Sequence, residues 1–195
     1  MKTIKIISIL ITIFSLNINA QKEFDYKIKP GIGISAIKIG THIDTIIKIL
    51  GKPDLSFSFN ESVDTYLKLK SNPNNWIPVQ IGYSKEISYS KGTESYPVFS
   101  LYFQDDSLIC FSLSSFIYKK WWLEKFYISD DLKFYSKIND ITDYFGDKYI
   151  LLDYSQGKNK FITWAYYNKG ISLLVHKNEI RMIEIFKPFD IIQKR

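Results

Sequence analysis

The chain is poor in the residues that build covalent or metal-held folds. Among its 195 residues there is one cysteine, Cys110, and there are two histidines, His42 and His176. A lone cysteine closes no internal disulfide and builds no cysteine metal site. Cys110 lies in an apolar strand pattern, which reads as a buried, inert thiol. His42 stands at a helix start and His176 in a hairpin turn. His42 has no ligand partner three or four positions on and His176 has Glu179 alone, across a hairpin turn, so no metal is expected. No GxSxG motif occurs, and Cys110 with a distant histidine makes a poor catalytic dyad. Gly31 and Gly33 complete no GxGxxG and are followed by no GK[ST], so Lys29-Pro30-Gly31 reads as a turn. No cofactor is expected. There is no arginine-rich patch. The formal net charge of +6 is spread along the chain, and nucleic acid is not an expected partner.

Long apolar runs are also lacking, with one exception. Ile6–Leu16 is almost wholly apolar, is preceded by Lys2 and Lys5, and is followed by a short stretch ending in the small residue Ala20. This is the order of a secretory signal peptide, with cleavage expected after Ala20. The run falls well short of the roughly 20 residues that span a bilayer. Gln21, not cysteine, follows the cut, so the lipoprotein route is absent and no stable membrane anchor is expected after cleavage. The expected mature chain, Gln21–Arg195, is a periplasmic or secreted protein. Its stability must come from a core rich in Ile, Phe and Tyr.

What is present is organised around Ile37–Asp54. Ile37 and Ile39 alternate with Lys38 as a short strand, and Gly40 ends it. Thr41 is in place to cap a helix, with Asp44 three positions on as a capping-box acid. Ile43, Ile46, Ile47 and Leu50 form one helical stripe, and Gly51 and Pro53 stop it. A helix of two to three turns is marginal alone, so it must lie on a sheet.

The same pattern returns 95 positions later. Ile37–Lys52 lies over Leu132–Asp147 without a gap, with Ser136 in the place of Thr41 and Gly146 in that of Gly51. At a shift of 72, Phe99–Leu113 lies over Ile171–Ile185, each reading as strand, polar turn and strand, with turns at Gln104–Ser107 and His176–Glu179. Recurrence of helix and hairpin in one order points to duplicated units. The expected fold class is α+β: two tandem modules, each a short helix region packed on an antiparallel sheet of about four strands. The expected division is 1–20 signal peptide, 21–117 first module, 118–130 aromatic connecting segment and 131–195 second module.

The first module carries an insertion at about 60–95. Within it Asn60-Glu61-Ser62 reads as a turn, Asp64–Lys70 and Val79–Tyr83 as strands, and Ser71–Asn75 as a loop with Trp76 at its end. An insertion in a repeat is a common place for binding, and also a common place for neutral elaboration. The connecting segment holds Tyr118, Trp121, Trp122 and Tyr127 interleaved with Lys119, Lys120 and Lys125. Two readings fit it: an aromatic recognition surface, or glue between the modules. The candidate binding residues are Trp76, Tyr118, Trp121, Trp122 and Tyr127, around a concave face formed by two sheets. Asp105-Asp106 and Asp130-Asp131 fall at turns or helix approaches, where aspartate favours local hydrogen bonds. Paired carboxylates for glycoside hydrolysis stay open, because their spacing is spatial.

The run Ile37, Ile39-Gly40-Thr41, Ile46, Leu50-Gly51-Lys52-Pro53, followed by a two-strand hairpin, resembles the SmpA/OmlA/BamE family of small outer-membrane lipoproteins. In its tandem, non-lipidated layout the chain is similar to β-lactamase inhibitory proteins. The resemblance implies a module that binds other proteins and performs no catalysis; Gln21 departs from the family's lipidated cysteine. The expected function is therefore non-enzymatic binding of another extracytoplasmic protein, as an inhibitor or accessory of an envelope protein. Alternatives are a structural or assembly accessory of the envelope, and a hydrolase or glycan-binding protein acting on envelope polymers.

Overall fold

The computed structural model describes residues 25–68, 75–89, 99–115, 123–153 and 160–190, apart from the side chains of 65–68. The signal segment Met1–Ala20 lies outside the described residues, as do Tyr118, Trp121 and Trp122.

The expectation of two tandem modules is corrected by the sheet. Eight antiparallel strands form one sheet in the order β10-β11-β12-β13-β7-β6-β5-β4. These are β4 (Leu55–Ser58), β5 (Lys85–Tyr89), β6 (Phe99–Gln104), β7 (Ser107–Ser114), β10 (Ile150–Asp153), β11 (Ile162–Tyr166), β12 (Ile171–His176) and β13 (Glu179–Phe186). β7 and β13 pair edge to edge, from Met182 opposite Ser114 to Phe186 opposite Cys110. The physical reason is the cost of a buried open edge. Each four-stranded meander would leave unpaired backbone groups on its last strand, and joining them satisfies both. Two small ribbons complete the fold: β1 (Ile28–Lys29), β2 (Gly33–Ile34) and β3 (Ile37–Lys38), and the pair β8 (Tyr127–Ser129) and β9 (Leu132–Lys133).

Two short helices lie on one face of the sheet: α1 (Ile43–Leu50) and, after α2 and α3 described below, α4 (Ile138–Phe145). They bury Ile43 and Ile46, and Ile141 and Phe145, in a single cluster with Ile87, Leu101, Phe111, Leu173, Ile183 and Ile185. One core thus runs beneath both halves. Equivalent residues make equivalent bonds. Gly40 N donates to Leu108 O at 2.7 Å, and Tyr135 N donates to Ile180 O at 3.2 Å. Tyr89 Oη donates to Gly51 O at 2.9 Å, and Tyr166 Oη donates to Gly146 O at 3.0 Å. Each tyrosine thereby satisfies a carbonyl at a helix C-terminus.

The helix starts differ from the expected caps. His42, not Thr41, is the N-cap of α1, and its Nδ1 accepts from Asp44 N at 3.2 Å. At α4 the N-cap is Lys137, not Ser136, and the Asp140 carboxylate accepts from Lys137 N at 2.7 Å. Thr41 and Ser136 instead close the preceding turns, accepting from Lys38 N and Lys133 N.

The insertion is helical where strands were expected. α2 (Phe59–Lys68) replaces the supposed strand Asp64–Lys70, and α3 (Ile77–Ile81) replaces Val79–Tyr83. Ser58 and Glu61 start α2: the Glu61 carboxylate accepts from Ser58 N and Oγ, each at 2.7 Å. Pro78 in the first turn and left-handed Gly82 bracket α3. Residues of both helices join the cluster on the other face of the sheet, Phe59 from α2 and Ile77, Val79 and Ile81 from α3. The sheet is therefore covered on both sides.

Candidate functional site

Beneath α2 and α3 the sheet is polar. The strand registers align Leu55, Ser88, Ser100, Ser112, Glu184, Ser172, Ala165 and Ile150 in one row across all eight strands. The six interior members of that row are buried. Small side chains let Trp76 and α3 approach closely. Trp76 packs edge-on against Tyr83 and Tyr102, with ring centroids 5.6 and 5.4 Å away.

Two carboxyl groups lie on this face. Glu86 accepts from Ser62 Oγ at 2.8 Å and from Ser88 Oγ at 3.2 Å, and Ser88 shares a hydrogen bond with Ser100 at 2.9 Å. Burial raises its pKa, with those hydroxyls opposing. Glu184, 1 % exposed, accepts from Ser172 Oγ at 2.5 Å. Burial pushes its carboxyl up to about 7, against the Ser172 hydroxyl first and the Trp76 indole second. Its Oε1 has no well-formed hydrogen bond, and no cation pairs with Glu184 among the described residues. Cys110, on the same face, has its thiol raised by burial and then by Glu184. Perturbed carboxyls mark catalytic sites when a cleft reaches them. Here the polar row is roofed by Trp76, Ile77 and Tyr83, which seat the insertion on the sheet.

The insertion also reaches the second half. Tyr167 Oη donates to Gln80 Oε1 at 2.7 Å, and Asn75 Nδ2 donates to Asp153 O at 2.7 Å. These two bonds tie α3 and its approach to β10 and to the turn after β11.

Of the sequence-derived site residues, Trp76 and Tyr127 are the two that lie among the described residues. Trp76, expected at a surface, is 2 % exposed and anchors the insertion. Tyr127 is half-buried on β8, and its N–H donates to Tyr26 O. The two sheets expected to form a concave face are one continuous eight-stranded sheet. The aspartate pairs sit in turns: Asp105 and Asp106 have positive φ, and Asp106 O accepts from Ile43 N at 2.9 Å.

The surface instead carries an apolar patch at one end of the sheet. Among the described residues seven large apolar side chains are exposed, and four of them, Tyr144, Ile150, Leu151 and Ile162, belong to α4, β10 and β11. Leu151 is 53 % exposed, Tyr144 50 %, Ile162 40 % and Ile150 36 %. Ile150 lies on the opposite face from Leu151 and Ile162, and beside it is a pocket of about 190 Å³ lined by Ile150, Ala165, Tyr167 and Phe189, with Lys148, Asn168 and Asp190 also contributing. Sequence reasoning missed this patch because Ile-Leu-Leu in β10 reads as an ordinary core strand. Only its place at the end of the strand order exposes it. No helix among the described residues is long and apolar enough to cross a membrane.

No protein-family model matches the chain, and no curated protein matches it. A solved structure of an extracellular protein containing an SCP domain from Bacillus anthracis str. Ames is similar over 76 % of this chain and 44 % of its own length, at 10 % identity and a TM-score of 0.42. The chain thus spans less than half of that protein.

Proposed function

We propose that this chain is a secreted or periplasmic protein that acts by binding another protein and carries out no reaction of its own. The observation behind the reading is the gathering of exposed apolar side chains on α4, β10 and β11. Leu151 and Ile162 share the face of the sheet that carries α4 and Tyr144, and exposed apolar side chains at a sheet end are costly in water and mark interaction surfaces. On the other face of the same sheet end, the pocket beside Ile150, about the size of one large side chain, suits an anchoring residue from a partner. The leader-like start and the resemblance to envelope binding modules fit the same reading.

The test is capture from a cross-linked native envelope fraction, with wild-type protein against Leu151→Lys/Ile162→Lys. Both positions are already exposed, so the variant should fold. A partner captured by the wild type and lost in the variant supports the reading. Identical capture by both proteins, or no capture by either, refutes it.

A further inference from the structure

We propose that Trp76 and α3 form a cover that opens as a unit, with the rest of the fold intact, when the carboxyl of Glu184 beneath it loses its proton. This goes beyond the binding reading and does not depend on it. α3 packs on β7, and Gln80 reaches Tyr167 beyond β11, so the cover spans β13 and β12, which lie between in the sheet. It is a five-residue helix, too short to persist alone. Its floor is hydroxyl and carboxyl, with Ser112 and Ser172 on either side of Glu184. Gly82, with φ +77° and open space around it, stands where α3 turns back toward β5 and is the pivot. Opening leaves the main core closed. The cluster beneath α1 and α4 lies on the other face and shares no residue with the cluster that holds Trp76 and Ile77. Opening thus exposes one small cluster and hydrates a polar floor, which places it at the low end of a protein's local opening free energies.

Glu184 couples the opening to protons. It is buried, and its Oε1 has no well-formed hydrogen bond. From β7 it faces Ser112 and the Cys110 thiol, and from β12 Ser172. From the approach to α3 it faces the Trp76 indole, and beyond β11 Tyr167. None of these is a cation, and α3 itself carries no charged residue. Glu86, the other buried carboxyl of this face, lies on β5 and is held by Ser62 of α2 and Ser88 of its own strand. In the closed form Glu184 keeps its proton up to about pH 7, whereas a hydrated glutamate releases it near 4.5. The open form therefore binds fewer protons, and rising pH favours it.

Cys110 supplies the probe, since it is the sole cysteine and is buried in the cluster beneath the cover. The experiment is labelling of Cys110 with dithiodipyridine on the full mature chain, each rate divided by that of the urea-unfolded chain at the same pH. Circular dichroism confirms that each variant folds. Wild-type labelling is expected to depend little on urea below the unfolding transition, and the opening is expected to be about tenfold more favourable at pH 8 than at pH 6. In Glu184→Gln that pH effect is expected to be largely lost. Tyr167→Phe, which releases Gln80, is expected to speed labelling roughly fivefold at both pH values. Wild-type labelling with the urea slope and free energy of global unfolding overturns the cover as a separate unit, as does a Tyr167→Phe rate equal to that of the wild type. Equal pH effects in wild type and Glu184→Gln overturn Glu184 as the trigger.

Discussion

Replacing Glu184 by glutamine should make the protein more stable at neutral and alkaline pH and flatten its pH dependence. Glu184 is buried at the β7–β13 join, opposite Ser112 and Ser172, with Cys110, Trp76 and Tyr167 around it and no cation to offset its charge. In the unfolded chain its pKa is near 4.5; in the folded protein it is about 7. The folded state therefore holds a proton that the unfolded state has released. Stability from this group is fully present below about pH 4.5 and is lost as pH rises through 7. Each pH unit between the two values is worth about 1.4 kcal/mol, so the loss approaches about 3 kcal/mol at pH 8. Glutamine is neutral throughout and its amide oxygen still accepts from Ser172. The assay is urea denaturation of wild type and Glu184→Gln at pH 5 and pH 8. Near-equal stability at pH 5 and a clear advantage for the variant at pH 8 is the expected result. Parallel loss of stability in both proteins refutes the account, because it places the titration elsewhere. Glu86, also raised by burial, acts in the same direction and leaves some residual slope in the variant.

Trp76→Ala should cost about 3–5 kcal/mol in denaturant unfolding, because Trp76 fills the space between the insertion and the sheet. A cost near zero would mean that the ring is a surface group after all. Gly170→Ala should destabilise by more than about 2 kcal/mol in the same assay. Gly170 has φ +65°, and a Cβ there would stand 2.2 Å from Phe186 O and 2.6 Å from Gly31 Cα. Tyr89→Phe and Tyr166→Phe should each cost about 1 kcal/mol, since each removes one hydrogen bond to a helix C-terminus. If the two costs differ widely, the equivalence of the two bonds fails.

The parts of the fold legible in the sequence are those whose signals are local. The apolar stripes and terminal glycines of α1 and α4 announce two helices, and the polar turns at Gln104–Ser107 and His176–Glu179 announce β6–β7 and β12–β13. The parts that were not legible depend on distant partners. Period-two alternation in Glu179–Phe186 implies a face turned to water, yet Glu184 on that face is buried under residues a hundred positions away. The helix α2 did carry a local signal, Ser58 followed three positions later by Glu61, but the alternation from Asp64 onward competed with it. Trp76 was misplaced for a related reason. A tryptophan at the end of a polar loop reads as exposed until the segment after it is seen to fold over the sheet. The exposure of β10 has no local signature at all, since strand order alone decides it.

The two halves differ most where function is expected. In the first half the insertion folds α2 and α3 over the polar face, and the edge strand β4 passes at once into α2. In the second half the corresponding strand β10 follows α4 closely, with Tyr149 as the nearest packed side chain, its ring 4.2 Å from that of Trp164. Position for position, Ser56 of β4 becomes Leu151 of β10, and Lys85 of β5 becomes Ile162 of β11. Two exposed polar sites have thus become two exposed apolar ones, on the same face and at one end of the sheet. A change of that sense costs solubility and adds nothing to a core that is already closed by α4. Covering those side chains with another surface would remove that cost, which is why the proposed binding role is placed at this end of the sheet and not on Trp76 of the insertion.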